Sequence, residues 1–371
     1  MTKKYEFVEG DEKIVAPGIV VRRIRALVAI PALLWMAPVE PGDLGGYIAG
    51  ETNLAQVSGN AWVYDNAWVS GDAQVSGDAQ VSGNAQVSGN AQVSGNARVS
   101  GDARVYGNAQ VSGNAWVYGD ARVYCDAQVS GNARVSGNAQ VYGNAWVYGD
   151  ARVYCDAQVS GNAQVSGNAW VYGDARVYGD AWVSGDAQVY GNAQVYGDAW
   201  VYCDAQVSGN ARVSGNAQVY GNAWVYGDAR VSGNAWVYGN AWVYGDARVY
   251  CDARVSGNAR VSGDARVSGD AQVSGNARVS GDARVSGDAQ VSGNARVSEK
   301  CSRTPVVISG LAYTITITDH HLRAGCKCYL ISKWPTFTKE EIADMDGKSA
   351  LRFYPQLLAF LAAARNEEGA K

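Results

Sequence analysis

The sequence predicts an all-β solenoid, and three observations carry that expectation. From Ala55 to Lys300 the chain is forty-one consecutive copies of a six-residue unit, Ala-x-Val-x-x-x, with no insertion or deletion. Within each unit the residues alternate: Ala, then Gln, Arg or Trp, then Val, then Ser or Tyr. That is the period-two pattern of a short strand with one buried face. Gly followed by Asn or Asp closes nearly every unit, and both tolerate the left-handed backbone that a tight corner needs. A four-residue strand with one buried Val is not stable alone, so the units must stack and pair with the coils above and below them.

Composition agrees with a repeat array. The 371 residues include Gly 45, Tyr 22 and Trp 12 beside Phe 4, Met 3 and His 2, a skew that two or three ordinary domains would not give. The net charge of −4, from 31 basic and 35 acidic residues, excludes a polybasic binder of nucleic acid or membrane that works by bulk charge. Local charged stripes stay open. The apolar run Ala26 to Met36 is too short to span a bilayer, is broken by Pro31, and follows Arg22, Arg23 and Arg25. It also lies too far from the start to act as a secretory signal, so no membrane partner is expected.

The flanks lack the repeat. Residues 1–54 hold strand-like pieces, Lys4 to Val8 and Ile19 to Ile30, then Pro31, Pro38, Pro41 and the turn-rich Gly42 to Ile48. They are expected to cap the first coil of an array spanning 55–300. Residues 301–371 predict a small α+β domain. Tyr313 to Thr318 alternates as a strand, and Cys326 to Leu330 is a second. Thr338 with Glu341 reads as a capping box for a helix that stops near Gly347, and Leu351 to Arg365 forms another.

The repeat resembles that of the left-handed parallel β-helix, in which an aliphatic residue points inward, a small residue precedes it by two, and three units make a triangular coil. The resemblance implies about fourteen coils, on the order of 65 Å at ~4.8 Å per coil, around a column of Val with Ala at the corners. The plan as a whole is similar to uncharacterised hexapeptide-repeat proteins of bacteria and their phages, often called transferases or polymer-forming proteins. The residues behind that likeness are Arg22 to Leu27, Gly42 to Ile48, the GNAWVY units, and the tail's TDHHLRAGC and MDGKSALRFY. It implies a bacterial or phage protein and supplies no activity, while seven cysteines with no paired spacing suit a reducing cytosol, so a cytoplasmic or phage-associated protein is expected.

Many left-handed β-helix proteins are acyltransferases, which need a general base, usually His, in a cleft between subunits. His320 and His321 lie outside the array, and no loop interrupts it, so no catalytic residue and no cofactor is expected. Cys125, Cys155, Cys203 and Cys251 each replace the corner Gly in the same VYCD setting, as duplication of a longer block would leave them. His320, His321, Cys326 and Cys328 are close enough in sequence to suggest zinc. The stronger reading puts Cys326, Cys328 and Leu330 on the buried side of a strand, with no metal.

The outward positions carry the functional reading, because folding does not demand Trp or Arg there. Counting units in threes puts Arg212, Arg230, Arg248, Arg266 and Arg284 in one column. A phosphate or acidic polymer could lie along it, although Asp252, Asp270 and Asp288 at the nearby corner favour a neutralised ladder. A second face gathers Trp62, Trp116, Trp170, Trp224 and Trp242, with Tyr118, Tyr172, Tyr226 and Tyr244 two residues beyond the last four. The expected protein is a non-enzymatic scaffold that contacts a protein or polymer partner, or another copy of itself as a dimer or trimer, through these columns. The rivals are an acyltransferase-like enzyme and a nucleic-acid or glycan polymer-binding module.

Overall fold

A computed structural model describes residues 3–32, 37–298, 300–301, 305–308 and 310–366. Leu33 to Met36 of the apolar run fall outside these. The chain divides into two compact units, Met1–Gly209 and Asn210–Lys371.

Both units build the repeat in the same way. Each two-residue strand pairs in parallel with the strand eighteen residues on: Arg98 with Trp116 and Val99 with Val117 in the first unit, Arg212 with Arg230 and Val213 with Val231 in the second. Eighteen residues are three repeats, so three strands make one turn, and the repeats form a parallel β-solenoid of about fourteen turns. Rungs are bonded along the axis. Gln92 N donates to Ala109 O at 2.9 Å and Ser94 N to Val111 O at 2.9 Å. Every repeat Val from Val63 to Val297 is at most 1% exposed, which contributes roughly 1.5 kcal/mol or more per side chain.

The first copy departs from the pattern. Val57 is 64% exposed, and the first regular strand is Trp62–Val63. Gln56 is diverted to the amino-terminal segment, where its Oε1 accepts from the Lys4 amide at 2.9 Å.

That segment forms an antiparallel meander of β1 (Tyr5–Ala16), β2 (Ile19–Ala26) and β3 (Leu44–Ile48). β1 runs beyond the expected Val8, and β2 stops short of Ile30. β3 pairs in parallel with the repeat strand Trp68–Val69 and so continues one sheet of the array. Seating it requires glycine: a Cβ on Gly45 would lie 2.8 Å from the Trp62 ring, and one on Gly46 2.5 Å from Ala67 O. Lys4 Nζ donates to Ala61 O at 2.9 Å and the Tyr5 hydroxyl to Leu54 O at 3.0 Å.

In the second unit the array is followed by a four-stranded antiparallel meander, Val306–Ile308, Ile315–Ile317, His321–Ala324 and Lys327–Leu330. The expected capping box is present, with Glu341 N donating to Thr338 Oγ1 at 3.2 Å and Thr338 N to Glu341 Oε2 at 2.8 Å. Helix α1 (Lys339–Asn366) kinks at Asp346 and Gly347, the latter at φ 57°, so the break falls where the sequence puts it. Ile315, Leu322, Trp334, Phe353, Leu357 and Leu361 form the core.

The inward reading of Cys326, Cys328 and Leu330 is corrected. Cys326 is exposed, Cys328 half-buried and Leu330 50% exposed. The pleat has the opposite phase, because Tyr329 turns to the core and packs edge-on against Trp334 and Phe337 at 5.5 and 4.8 Å.

Candidate functional site

In the first unit the three faces differ. One carries Trp62, Gln80, Arg98, Trp116, Arg134, Arg152, Trp170 and Gln188 in register. Trp62 is not part of any exposed surface: it is 0% exposed, with Tyr5 edge-on at 6.3 Å, because the amino-terminal meander covers it. Trp116 lies between two guanidinium groups, Arg98 at 4.9 Å and Arg134 at 5.1 Å from the ring centroid. Arg152 stands over Trp170 at 4.9 Å. Tyr118 is exposed. Tyr172 stacks between Tyr154 and Tyr190 at 5.0 Å on either side; burial first, then the Tyr190 hydroxyl, pushes its pKa up.

A second face of this unit carries no charge at its outward strand positions. Gln74, Gln92, Gln110, Gln128, Trp146, Gln164, Trp182 and Trp200 follow one another on successive coils. Trp146, Trp182 and Trp200 are 46%, 39% and 43% exposed. Trp182 and Trp200 stack at 5.2 Å and 12°. The sequence reading overlooked these three, although the same counting in threes places them together.

In the second unit Trp224 stacks on Trp242 at 5.3 Å, and Tyr226 on Tyr244 at 5.0 Å. Arg260 continues the Trp column and lies over Trp242 at 4.7 Å. Burial first, then the Tyr244 hydroxyl, raises the Tyr226 pKa, with Arg260 opposing. Arg212, Arg230, Arg248, Arg266 and Arg284 are in register on consecutive coils, and all but the half-buried Arg266 are exposed. Among the described residues none of them is within 4 Å of an acidic group. The expected ladder with Asp252, Asp270 and Asp288 therefore does not form at contact distance.

Rings stacked along the solenoid axis cover one another's faces and turn their edges outward. Stacking on a sugar or base needs a free ring face. These columns are suited instead to packing against a flat surface.

Cys125, Cys155, Cys203 and Cys251 are exposed and hold the corner glycine's left-handed conformation, at φ 58–60°. Among the described residues no three or more His, Cys, Asp or Glu gather as metal ligands, so His320, His321, Cys326 and Cys328 are not brought together as a set. Nor is any helix among the described residues long and apolar enough to cross a membrane.

Comparison with solved structures finds an Arabidopsis UDP-N-acetylglucosamine acyltransferase at 12% identity and TM-score 0.24, covering 58% of this chain and 72% of that one. A protein described as a candidate acetyltransferase from Desulfovibrio desulfuricans gives 9% identity and TM-score 0.20, covering 65% of each chain. Likeness at this level carries no argument about activity. No curated protein sequence matches. The family model for the YdcK beta solenoid repeat matches residues 55–71, 73–124, 127–155, 157–185, 187–202, 205–245 and 253–303. With the register and the buried Ala and Val columns, those matches establish that the chain belongs to the YdcK β-solenoid repeat family.

Proposed function

We propose that the protein is a non-enzymatic binding scaffold and that its partner is a second copy of the chain. The observation that supports this is the face from Gln74 to Trp200, which holds only Gln and Trp at its strand positions and exposes Trp146, Trp182 and Trp200. The strand positions of this face set no like charges against a second copy, whereas those of the Arg-bearing faces would. Interface cores are depleted in charge and enriched in Trp and Tyr, and large exposed apolar side chains in a cluster mark such sites. The outward ring edges suit flat packing. Sedimentation of the full chain and of Trp182→Gln/Trp200→Gln tests it. The wild type sediments as a dimer or larger and the variant as a monomer; equal sedimentation of the two overturns the reading.

A second reading is favoured by the Arg212 to Arg284 column, which lacks contact ion pairs among the described residues. Such a column suits an anionic polymer. Retention on heparin that falls steeply with salt, and is weakened by Arg230→Gln/Arg248→Gln, would support it. An acyltransferase-like reading needs a histidine in a cleft. His320 and His321 belong to the carboxyl-terminal sheet and its turn, not to a repeat strand.

A further inference from the structure

Between the last coils of the second unit and its carboxyl-terminal sheet lies a cavity of about 460 Å³, within the range typical of small-ligand sites. Four arginines line it. Arg260, Arg278 and Arg296 come from consecutive coils in register, and Arg323 reaches in from the strand His321–Ala324.

No acidic side chain among the described residues lines the cavity. Among the described residues none of the four arginines is ion-paired. Asp264 and Asp282 sit at the corners that follow Arg260 and Arg278 in sequence, while the cavity is lined by the preceding corners, Asn258 and Asn276. The hydroxyl of the lining Tyr313 donates to Asp346, which does not itself line the cavity.

Two further features belong to the residues of the cavity wall. Arg323 Nη2 donates to Ser298 Oγ at 2.6 Å, but its Nε is buried with no partner, a donor whose desolvation is uncompensated. Along the corner, Asn222, Asn240, Asn258 and Asn276 each donate a side-chain amide to the next asparagine at 3.2–3.3 Å. Every step runs the same way, so the ladder ends with Asn294 as acceptor and with its own amide donors unused by the ladder, at the cavity wall. Aligned amide dipoles place their positive end there.

Arg260 is stacked over Trp242, which fixes its plane while leaving its N–H edges to donate. From a row of arginines at ~4.8 Å spacing, a facing arginine and the donor end of an amide ladder, we infer that this cavity is an anion site for a small compound bearing two or three linked phosphate groups. The inference does not rest on self-association through the face from Gln74 to Trp200.

Calorimetric titration of the full chain with inorganic triphosphate tests it, with inorganic phosphate and a single-stranded oligodeoxythymidylate as comparison probes. Saturable triphosphate binding is expected, tighter than that of single phosphate. Arg278→Gln and Arg323→Gln should each weaken it by at least about tenfold. Arg230→Gln, which removes the same charge from another face, should change it by less than about twofold. Arg278→Lys keeps the charge and loses the fork, so it should fall between these and guards against a folding defect in the glutamine variant. Absence of triphosphate binding by the wild type overturns the proposal, as does equal weakening by Arg230→Gln. Oligonucleotide binding that displaces triphosphate and shares its Arg278 dependence would overturn the small-ligand assignment in favour of a polymer.

Discussion

The side-chain amide of Asn276 donates to Oδ1 of Asn294 at 3.3 Å, the last step of a ladder in which each asparagine accepts from one coil and donates to the next. Aspartate can accept but not donate, so it ends such ladders: Asn96, Asn114 and Asn132 run in sequence and stop at Asp150. Asn240→Asp should keep the bond from Asn222, lose the one to Asn258, and set two oxygens against each other. A loss of about 1 kcal/mol is expected, read as a lower urea midpoint.

The repeat corner tolerates a Cβ unequally. Gly137 has φ 65°, and a Cβ there would lie 2.9 Å from the backbone N of Cys155 on the next coil. Gly137→Ala should therefore cost more than the 1–2 kcal/mol (roughly) of the left-handed conformation alone. Cys155 already carries that strain at φ 60°, so Cys155→Gly should be neutral or stabilising by up to about 1 kcal/mol. Thermal melts of both variants check the contrast.

Trp62 anchors the amino-terminal cap. Trp62→Ala removes a fully buried indole from beneath Tyr5 and beside Gly45, at a cost of about 3–5 kcal/mol. Amide exchange should accelerate in β1 and β2 ahead of the repeat strands of Arg134 to Gln188, because coils contact only their neighbours.

Lys4 gives the cap a pH dependence. Burial holds its pKa down at about 8 against the ordinary 10.5, with the Asp78 charge opposing. Between those values the unfolded chain binds more protons than the folded one, so stability rises with pH through the window, and the penalty is fully present below pH 8. Tyr64, pushed up to about 12 chiefly by burial, acts in the opposite sense only above pH 10, where the unfolded phenol ionises first. From pH 7.5 to 9.5 the wild-type melting temperature should climb more than that of Lys4→Met. Parallel curves would contradict this.

The sequence determined the solenoid because one six-residue text, repeated, leaves a single way to bury Ala and Val on the same side. The i to i+18 register follows from it, and with it the Arg212 to Arg284 column. The capping box at Thr338 and Glu341 and the break at Gly347 are local chemistry and were legible for the same reason. Tertiary placement was not. The unit around Trp62 differs from that of Trp116 only at its corner, where Asp65 and Asn66 stand for Gly119 and Asp120, and that difference does not announce the meander folding over it. The phase of Lys327–Leu330 depends on which side Trp334 and Phe337 approach, and alternation alone is symmetric between the two. The charge-free face was readable in principle, since it needs only the absence of Arg at every third unit from Gln74 to Trp200. The Arg323 cavity was not, because it joins segments whose proximity no repeat encodes.

The most direct test of the scaffold reading is the solution mass of the full chain by light scattering at low and high salt. The charge-free face predicts a dimer or larger at both, since its contacts do not depend on ion pairs. A mass of 39.2 kDa at both salt concentrations would contradict it.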